Sequence, residues 1–64
     1  MADKHVEVWL DRAGEGRFRL VYGNGEIGPV SEGYAGGKSA ARHQAAEDFP
    51  GVEIIELEAA PDGD

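Results

Sequence analysis

The first third of the chain alternates apolar and polar residues with a period of two, which predicts two β-strands. Because successive side chains of a strand point to opposite faces, each apolar series marks the core face of one strand. We expect these strands over about residues 5–11 and 17–22. Their core-facing residues are Val6, Val8 and Leu10 in the first, and Phe18, Leu20 and Tyr22 in the second.

Two glycine-bearing turns join three consecutive strands in this region. The first turn lies within residues 12–16, and the second is Asn24-Gly25. An asparagine-glycine pair favours a two-residue type I′ loop, in which both central residues need positive φ. The third strand, at residues 27–31, contains Pro29, which places it at a sheet edge or in a bulge. Residues 6–34 are therefore predicted to form a three-stranded antiparallel meander.

One helix is predicted after the meander, from residue 38 or 39 to residue 48 or 49. Ser39 is the expected N-cap, and Pro50-Gly51 ends the helix. Ala41, Ala45 and Phe49 recur with helical spacing and form the face that lies on the sheet.

A last strand is predicted over residues 52–58, the most β-prone run in the chain. Its adjacent Ile54 and Ile55 point to opposite faces, so we expect burial on both sides or a bulge. The fold class is thus α+β, a β-β-β-α-β unit in which one helix covers an antiparallel meander sheet. A single domain spans residues 1–64, with an ordered core at about 5–58, a frayed start at 1–4 and a disordered tail at 59–64.

The face of the first strand that points away from the core carries Trp9 among polar residues. A tryptophan there is either covered by a partner or left as an exposed patch, and covering is the expected outcome. Arg17 and Arg19 fall on the same face of the second strand. We expect them to pair across the hairpin with Glu7 and Asp11.

The small size of the chain predicts self-association. A domain of 64 residues buries only about 60% of its unfolded surface, which makes an isolated monomer marginal. The chain has no cysteine, and its two histidines, His5 and His43, are too few for a closed zinc site. We therefore expect no metal and no cofactor, and a homodimer as the source of added stability.

The formal charge of −7 is concentrated in the last third of the chain. Residues 1–42 hold six acidic and six basic residues, whereas residues 43–64 hold seven acidic residues and no Lys or Arg. Such a surface disfavours nucleic-acid binding. It fits either an ordinary acidic protein or one adapted to high salt, where ions screen self-repulsion. With no membrane-length apolar run and no hydrophobic signal region, the expected location is the cytoplasm.

The residues that suggest chemistry are few. Residues 33–39 look like a phosphate-binding loop before a helix, but Glu32 stands where that motif needs glycine. The plainer alternative is a strand-to-helix joint. The alternative function is weak anion or nucleic-acid binding by Gly36, Gly37, Lys38 and Ser39, assisted by Arg17 and Arg19 of the second strand. His43 and Glu47 are spaced as an ordinary surface pair, and we expect no catalytic residues and no enzyme.

The order of these segments resembles the YegP-like family of small uncharacterised proteins. The resemblance covers residues 6–49, with a weaker extension through the last strand. It rests on Val6-Glu7-Val8-Trp9, Asp11-Arg12-Ala13-Gly14-Glu15, Arg17-Phe18-Arg19-Leu20, Asn24-Gly25-Glu26, Ser31-Glu32-Gly33-Tyr34 and the alanine-containing helix. Two departures are Gly16, where an aromatic residue is common, and Gln44 with its neighbouring alanines, where bulkier apolar residues are usual.

The resemblance implies a unit that occurs as a tandem repeat or as a single-copy homodimer. In the dimer, two units share one sheet and exchange their C-terminal strands. A single copy is present here, so the homodimer is implied, and the doubly apolar last strand agrees with it. The family has no established activity and no catalytic residues to transfer. We expect a non-enzymatic homodimeric module that acts through its surface as an interaction or stress-related accessory protein. The predicted dimer interface consists of Trp9, Val52, Ile54, Ile55 and Leu57.

Overall fold

A computed structural model describes residues 3–61. The elements are β1 (His5–Leu10), β2 (Gly16–Val21), β3 (Ile27–Val30), α1 (Gly37–Asp48) and β4 (Glu53–Glu56). They form one four-stranded sheet in the order β3-β2-β1-β4. Strand β2 is antiparallel to both of its neighbours, while β4 runs parallel to β1. The α+β class is confirmed, but the sheet is mixed rather than antiparallel throughout. The frayed start and the disordered tail predicted from sequence fall partly on residues 1–2 and 62–64, outside the described residues.

The first hairpin turn is a tight turn closed by a glycine. The Gly14 amide donates to the Asp11 carbonyl at 3.0 Å, and the Asp11 amide donates to the Glu15 carbonyl at 2.9 Å. Gly14 has φ of 80°, a left-handed conformation that glycine adopts without steric cost. This is a three-residue hairpin loop, a type I turn followed by a left-handed residue.

The second hairpin turn repeats the same design. The Gly25 amide donates to the Tyr22 carbonyl, and the Tyr22 amide donates to the Glu26 carbonyl, both at 2.9 Å. Gly25 has φ of 91°, whereas Asn24 does not have positive φ. The predicted two-residue type I′ loop is therefore wrong. Asn24 instead accepts the Glu26 amide through its side chain at 3.0 Å, which stabilises the longer loop.

The core lies between α1 and the face of the sheet that α1 covers. Its buried members are contributed by β1, β2 and α1: Val6, Val8, Phe18, Leu20, Ala41 and Ala45. Two residues predicted for this core are not in it, because Leu10 is 44% exposed and Tyr22 is 42% exposed. Leu10 is the last residue of β1 and Tyr22 follows the end of β2, so both lie at strand ends.

The start of α1 is set by a close approach of backbones. The helix begins at Gly37 with Gly36 as its N-cap and no side-chain capping hydrogen bond, so the prediction of Ser39 as N-cap is wrong. A Cβ on Gly16 of β2 would lie 2.0 Å from the Gly37 carbonyl oxygen. Gly16 also exchanges two backbone hydrogen bonds with Tyr34, at 2.8 and 2.9 Å. The absence of a side chain at Gly16 lets β2 hold the chain just before the helix.

Strand β4, like β3 at the opposite edge of the sheet, is mostly exposed in the single chain. Ile54 is half-buried against the core, Ile55 is 38% exposed, and Glu53 and Glu56 are exposed. The prediction of burial on both faces is therefore wrong for the single chain, and so is the alternative of a bulge, because β4 pairs with β1 in continuous register. Strand β4 has one neighbour, β1, and its other edge is open.

We expect the core and the uncovered side of the sheet to respond differently to the same substitution. Val8→Ala should lower the free energy of unfolding by about 2–3 kcal/mol, because Val8 is completely buried between sheet and helix. Val30→Ala, at a position that is 48% exposed, should change it by less than about 0.5 kcal/mol. Urea unfolding followed by circular dichroism at one protein concentration makes the comparison. Equal losses would contradict this assignment of the core.

Candidate interaction surface

The face of the sheet opposite α1, called here the open face, carries most of the polar interactions of the fold. Alternation along the strands places the charged residues of β1 and β2 on this face, while the core residues point to the helix. The open face consists of His5, Glu7, Trp9, Arg17, Arg19, Val21, Ile27, Val30, Glu53 and Ile55.

Trp9 is buried on the open face within one chain. Only 1% of its surface is exposed, and the Arg19 guanidinium carbon lies 5.7 Å from the centre of its ring. At this distance the cation is attracted to the ring, and the apolar stem of an arginine can cover apolar surface. The expectation that Trp9 needs a partner chain to cover it is wrong.

Glu7 holds Arg19 in place over the ring. The Arg19 Nε and Nη2 atoms lie 2.9 and 2.8 Å from Glu7 Oε1, and His5 Nε2 lies 3.1 Å from Glu7 Oε2. Burial alone would raise the pKa of Glu7. The hydrogen bonds from His5 and Arg19, together with their positive charge, outweigh that effect and lower the pKa below its ordinary value of 4.5.

The Asp11 carboxylate, at the end of β1, binds both the first hairpin turn and Arg17. Its Oδ1 accepts the amides of Ala13 and Glu15, each at 2.9 Å, and its Oδ2 accepts Arg17 Nε at 2.6 Å. The hydrogen bond from Arg17 and then the backbone hydrogen bonds lower the pKa of Asp11 below 3.8. The predicted pairing of the two arginines with Glu7 and Asp11 is confirmed.

The four residues predicted to bind an anion lie at the start of α1. Gly36, Gly37, Lys38 and Ser39 follow one another there, with no acidic residue in the first turn of the helix. The arginines expected to assist them are on the open face, and each is already paired with a carboxylate. The fold therefore does not bring the two parts of the predicted anion site together.

The histidines are engaged in separate local pairs. His43 Nε2 lies 3.1 Å from Glu47 Oε2 one helical turn away, as predicted, on an exposed side of α1. Across residues 3–61, no group of three or more His, Cys, Asp or Glu side chains is placed to hold a metal ion. Within the same range, no helix combines the length and apolar character needed to span a bilayer.

The residues predicted for a dimer interface are mostly gathered along β4. Val52, Ile54 and Leu57 are half-buried there and Ile55 is exposed, whereas Trp9 lies on the neighbouring strand and is buried.

One contact of β4 was missed from the sequence. Arg42 of α1 donates to Glu56 of β4 at 3.1 Å and ties the helix to the edge strand. Charge counting alone could have suggested it, because Arg42 is the last basic residue before the acidic third of the chain.

The fold and this surface define a class, a small α+β unit with one helix on a four-stranded sheet and an uncovered edge strand. Among proteins of known sequence, the chain is 41% identical over 54 residues to a UPF0339 protein of Methanosarcina acetivorans. The match covers 81% of this chain and 93% of the relative. The chain therefore belongs to the UPF0339 family, which is the YegP family, and the predicted resemblance is confirmed. No family model matches the chain, and neither does any solved structure.

The lowered pKa values predict a specific loss of stability in acid. A carboxylate whose pKa is depressed by folding stabilises the protein above its ordinary pKa, and this contribution is lost as the pH falls through the depressed value. For Glu7 and Asp11 the ordinary values are 4.5 and 3.8, so stability should begin to fall below about pH 5. Urea unfolding between pH 7 and pH 3 measures the free energy of unfolding as a function of pH.

A substitution at Glu7 measures its share of the stability that is lost in acid. Glu7→Gln should lower the free energy of unfolding by about 1 kcal/mol at pH 7 and reduce the loss in acid, since the ion pair with Arg19 is gone. Glu32→Gln, at an exposed position outside this network, is the control. An unchanged acid profile in Glu7→Gln would contradict the role of Glu7.

Proposed function

We propose that the protein is a small non-enzymatic interaction module that works as a homodimer. The observation that carries the proposal is the state of β4. The most β-prone run of the sequence forms a short edge strand whose residues are exposed or half-buried in the single chain. A strand rich in isoleucine with an open edge gains both hydrogen bonds and apolar burial when a second strand covers it.

The two edges of the sheet differ in their ability to accept another strand. Strand β3 contains Pro29, which has no amide to donate, and its pairing with β2 shifts in register between Arg19 and Val21. Strand β4 pairs with β1 in continuous register over Glu53–Glu56. If two chains share one sheet, β4 is therefore the edge at which they meet.

We further propose that the two chains exchange β4. In an exchanged dimer, the contacts that β4 makes with β1 and α1 are the same as in one chain, but they join different chains. The connection that would act as the hinge is short, from Phe49 to Val52, and contains Gly51 with φ of 82°. Val52, Ile54, Ile55 and Leu57 would then lie at the interface, with Trp9 buried behind it.

Surface properties suggest how such a dimer would act. Ile27 and Val30 are each 48% exposed on β3, far from the proposed interface at β4, and offer apolar surface to another protein. We propose an interaction or stress-related accessory role in the cytoplasm, with adaptation to high salt as the meaning of the acidic last third.

The oligomeric state is the first test. Light scattering should give the mass of two chains, and a monomer at every concentration and salt level would overturn the proposal. Because association adds stability by mass action, the unfolding midpoint should also rise with protein concentration.

Strand exchange is tested by cysteine pairs, since the natural chain contains no cysteine. His5 and Glu53 are partners in the β1–β4 register, so His5→Cys with Glu53→Cys should form a disulfide. In an exchanged dimer this disulfide links two chains, and a non-reducing denaturing gel shows a covalent dimer. Val21→Cys with Ile27→Cys, partners in β2 and β3, stays within one chain and is the control. A light-scattering dimer that runs as a monomer on the gel would overturn exchange alone.

Weak anion binding at Gly36–Ser39 is the second candidate function. It is favoured by a helix start that lacks both a side-chain cap and acidic residues, which leaves backbone amides for an anion. Titration with inorganic phosphate, followed by amide chemical shifts, should then perturb residues 36–39, and Lys38→Gln should weaken the effect severalfold. No shift at low ionic strength would overturn this candidate.

A further inference from the structure

The charges on β4 oppose the association that its apolar residues favour. Glu53 and Glu56 are exposed at the two ends of the strand, and exposed Glu58 follows. Within residues 3–61, the ion pair that reaches this edge comes from Arg42, whose side chain lies 3.1 Å from Glu56. The chain has no Lys or Arg after Arg42. The uncovered edge of β4 is therefore apolar at its centre and negative at both ends.

We infer that association of two chains along β4 is controlled by ionic strength, weak at low salt and strengthened as salt is added. The inference rests on the proposed homodimer and names how that interface is regulated. A dimer held by opposite charges would behave in the reverse way and weaken with salt.

The geometry of strand pairing shows why the glutamates meet. Two copies of β4 related by a two-fold axis perpendicular to the sheet run antiparallel, and residues directly opposite one another share a face. With Ile55 on the axis, Glu56 lies opposite Ile54 of the other copy and diagonal to that copy's Glu56. With Ile54 on the axis, Glu53 lies opposite Ile55 and diagonal to the other Glu53.

Both central registers therefore bring one pair of like charges close together. Diagonal neighbours on a sheet are about 7–8 Å apart, which is within the Debye length of about 10 Å at 0.1 M salt. At 1 M salt the Debye length falls to about 3 Å, so the repulsion is screened while the apolar contact of Ile54 and Ile55 persists. Arg42 offsets the charge of Glu56, and Glu53 has no such ion pair among the contacts of the described residues.

Strand exchange does not alter the argument. Whether β4 pairs with β1 of its own chain or of its partner, the outer edge of each β4 faces the other copy at the centre of the shared sheet. The regulation follows from the charges on that edge and is independent of which chain each strand belongs to.

Sedimentation measurements of the dimer dissociation constant between 0.05 and 1 M NaCl test the inference. The constant of the natural chain should fall on the order of tenfold as salt rises, because screening removes repulsion between the two strands. The double variant Glu53→Gln with Glu56→Gln should dimerise at 0.05 M almost as well as the natural chain does at 1 M. Arg42→Gln should raise the low-salt constant. Glu32→Gln, beyond the opposite edge of the sheet, should keep the natural salt dependence.

The outcomes distinguish salt control of the dimer from the existence of the dimer itself. Salt also strengthens apolar contacts to some extent, but it does so in every variant, so the difference between the double variant and the natural chain is the readout. A dissociation constant that rises with salt would overturn the inference, as would a double variant that keeps the full salt dependence, with circular dichroism confirming its fold. In both cases the homodimer itself would stand. A monomer at every salt concentration would overturn the homodimer and this inference together.

Discussion

The burial of Trp9 by a paired arginine is the interaction on which the rest of the sheet depends. Strand β1 is central and buries large side chains on both faces, with Val6 and Val8 under the helix and Trp9 on the open face. Arg19 closes over the indole ring, and Glu7 fixes the guanidinium with two short contacts. Within residues 3–61 the one helix covers one face of the sheet, and on the other face the ion-paired Arg19 covers Trp9.

This arrangement explains why the two hairpin strands are so strongly coupled. The register that sets Glu7 opposite Arg19 also sets Val8 opposite Phe18, so the charged face and the core face support the same alignment. Asp11 extends the coupling into the turn, because one carboxylate holds Arg17 and two amides of the loop. Local turn chemistry, cross-strand charge and core packing therefore favour one register, which is the condition for a unique fold.

Much of this could be predicted from the order of residues, and the failures have physical causes. Period-two alternation identified the strands and which side chains of the hairpin would pair, since both follow from strand geometry alone. It assigned Trp9 to the correct face but could not show that the guanidinium of Arg19 from the neighbouring strand would lie over its ring. Propensity favoured Ser39 as the helix N-cap, whereas the N-cap is Gly36, three residues earlier, where Gly16 approaches Gly37 closely. A contact between two backbone segments distant in sequence leaves no local pattern in the sequence, so propensity cannot predict it.

Strand β4 is less buried in the structure than its sequence predicts, whereas Trp9 is buried without a partner chain. Its two isoleucines predict burial on both faces, and the single chain provides only part of it, because α1 covers Ile54 incompletely and Ile55 faces the solvent. The apolar surface of β4 that one chain leaves exposed is available for an interface. Glutamates at both ends of the strand protect this edge, since charge on an edge strand suppresses indiscriminate pairing, and in the proposed homodimer they would make pairing depend on salt. The sheet thus combines a half in which Glu7 and Asp11 are paired with arginines and an edge at which Glu56 pairs with Arg42, while Glu53 has no ion pair among the contacts of the described residues.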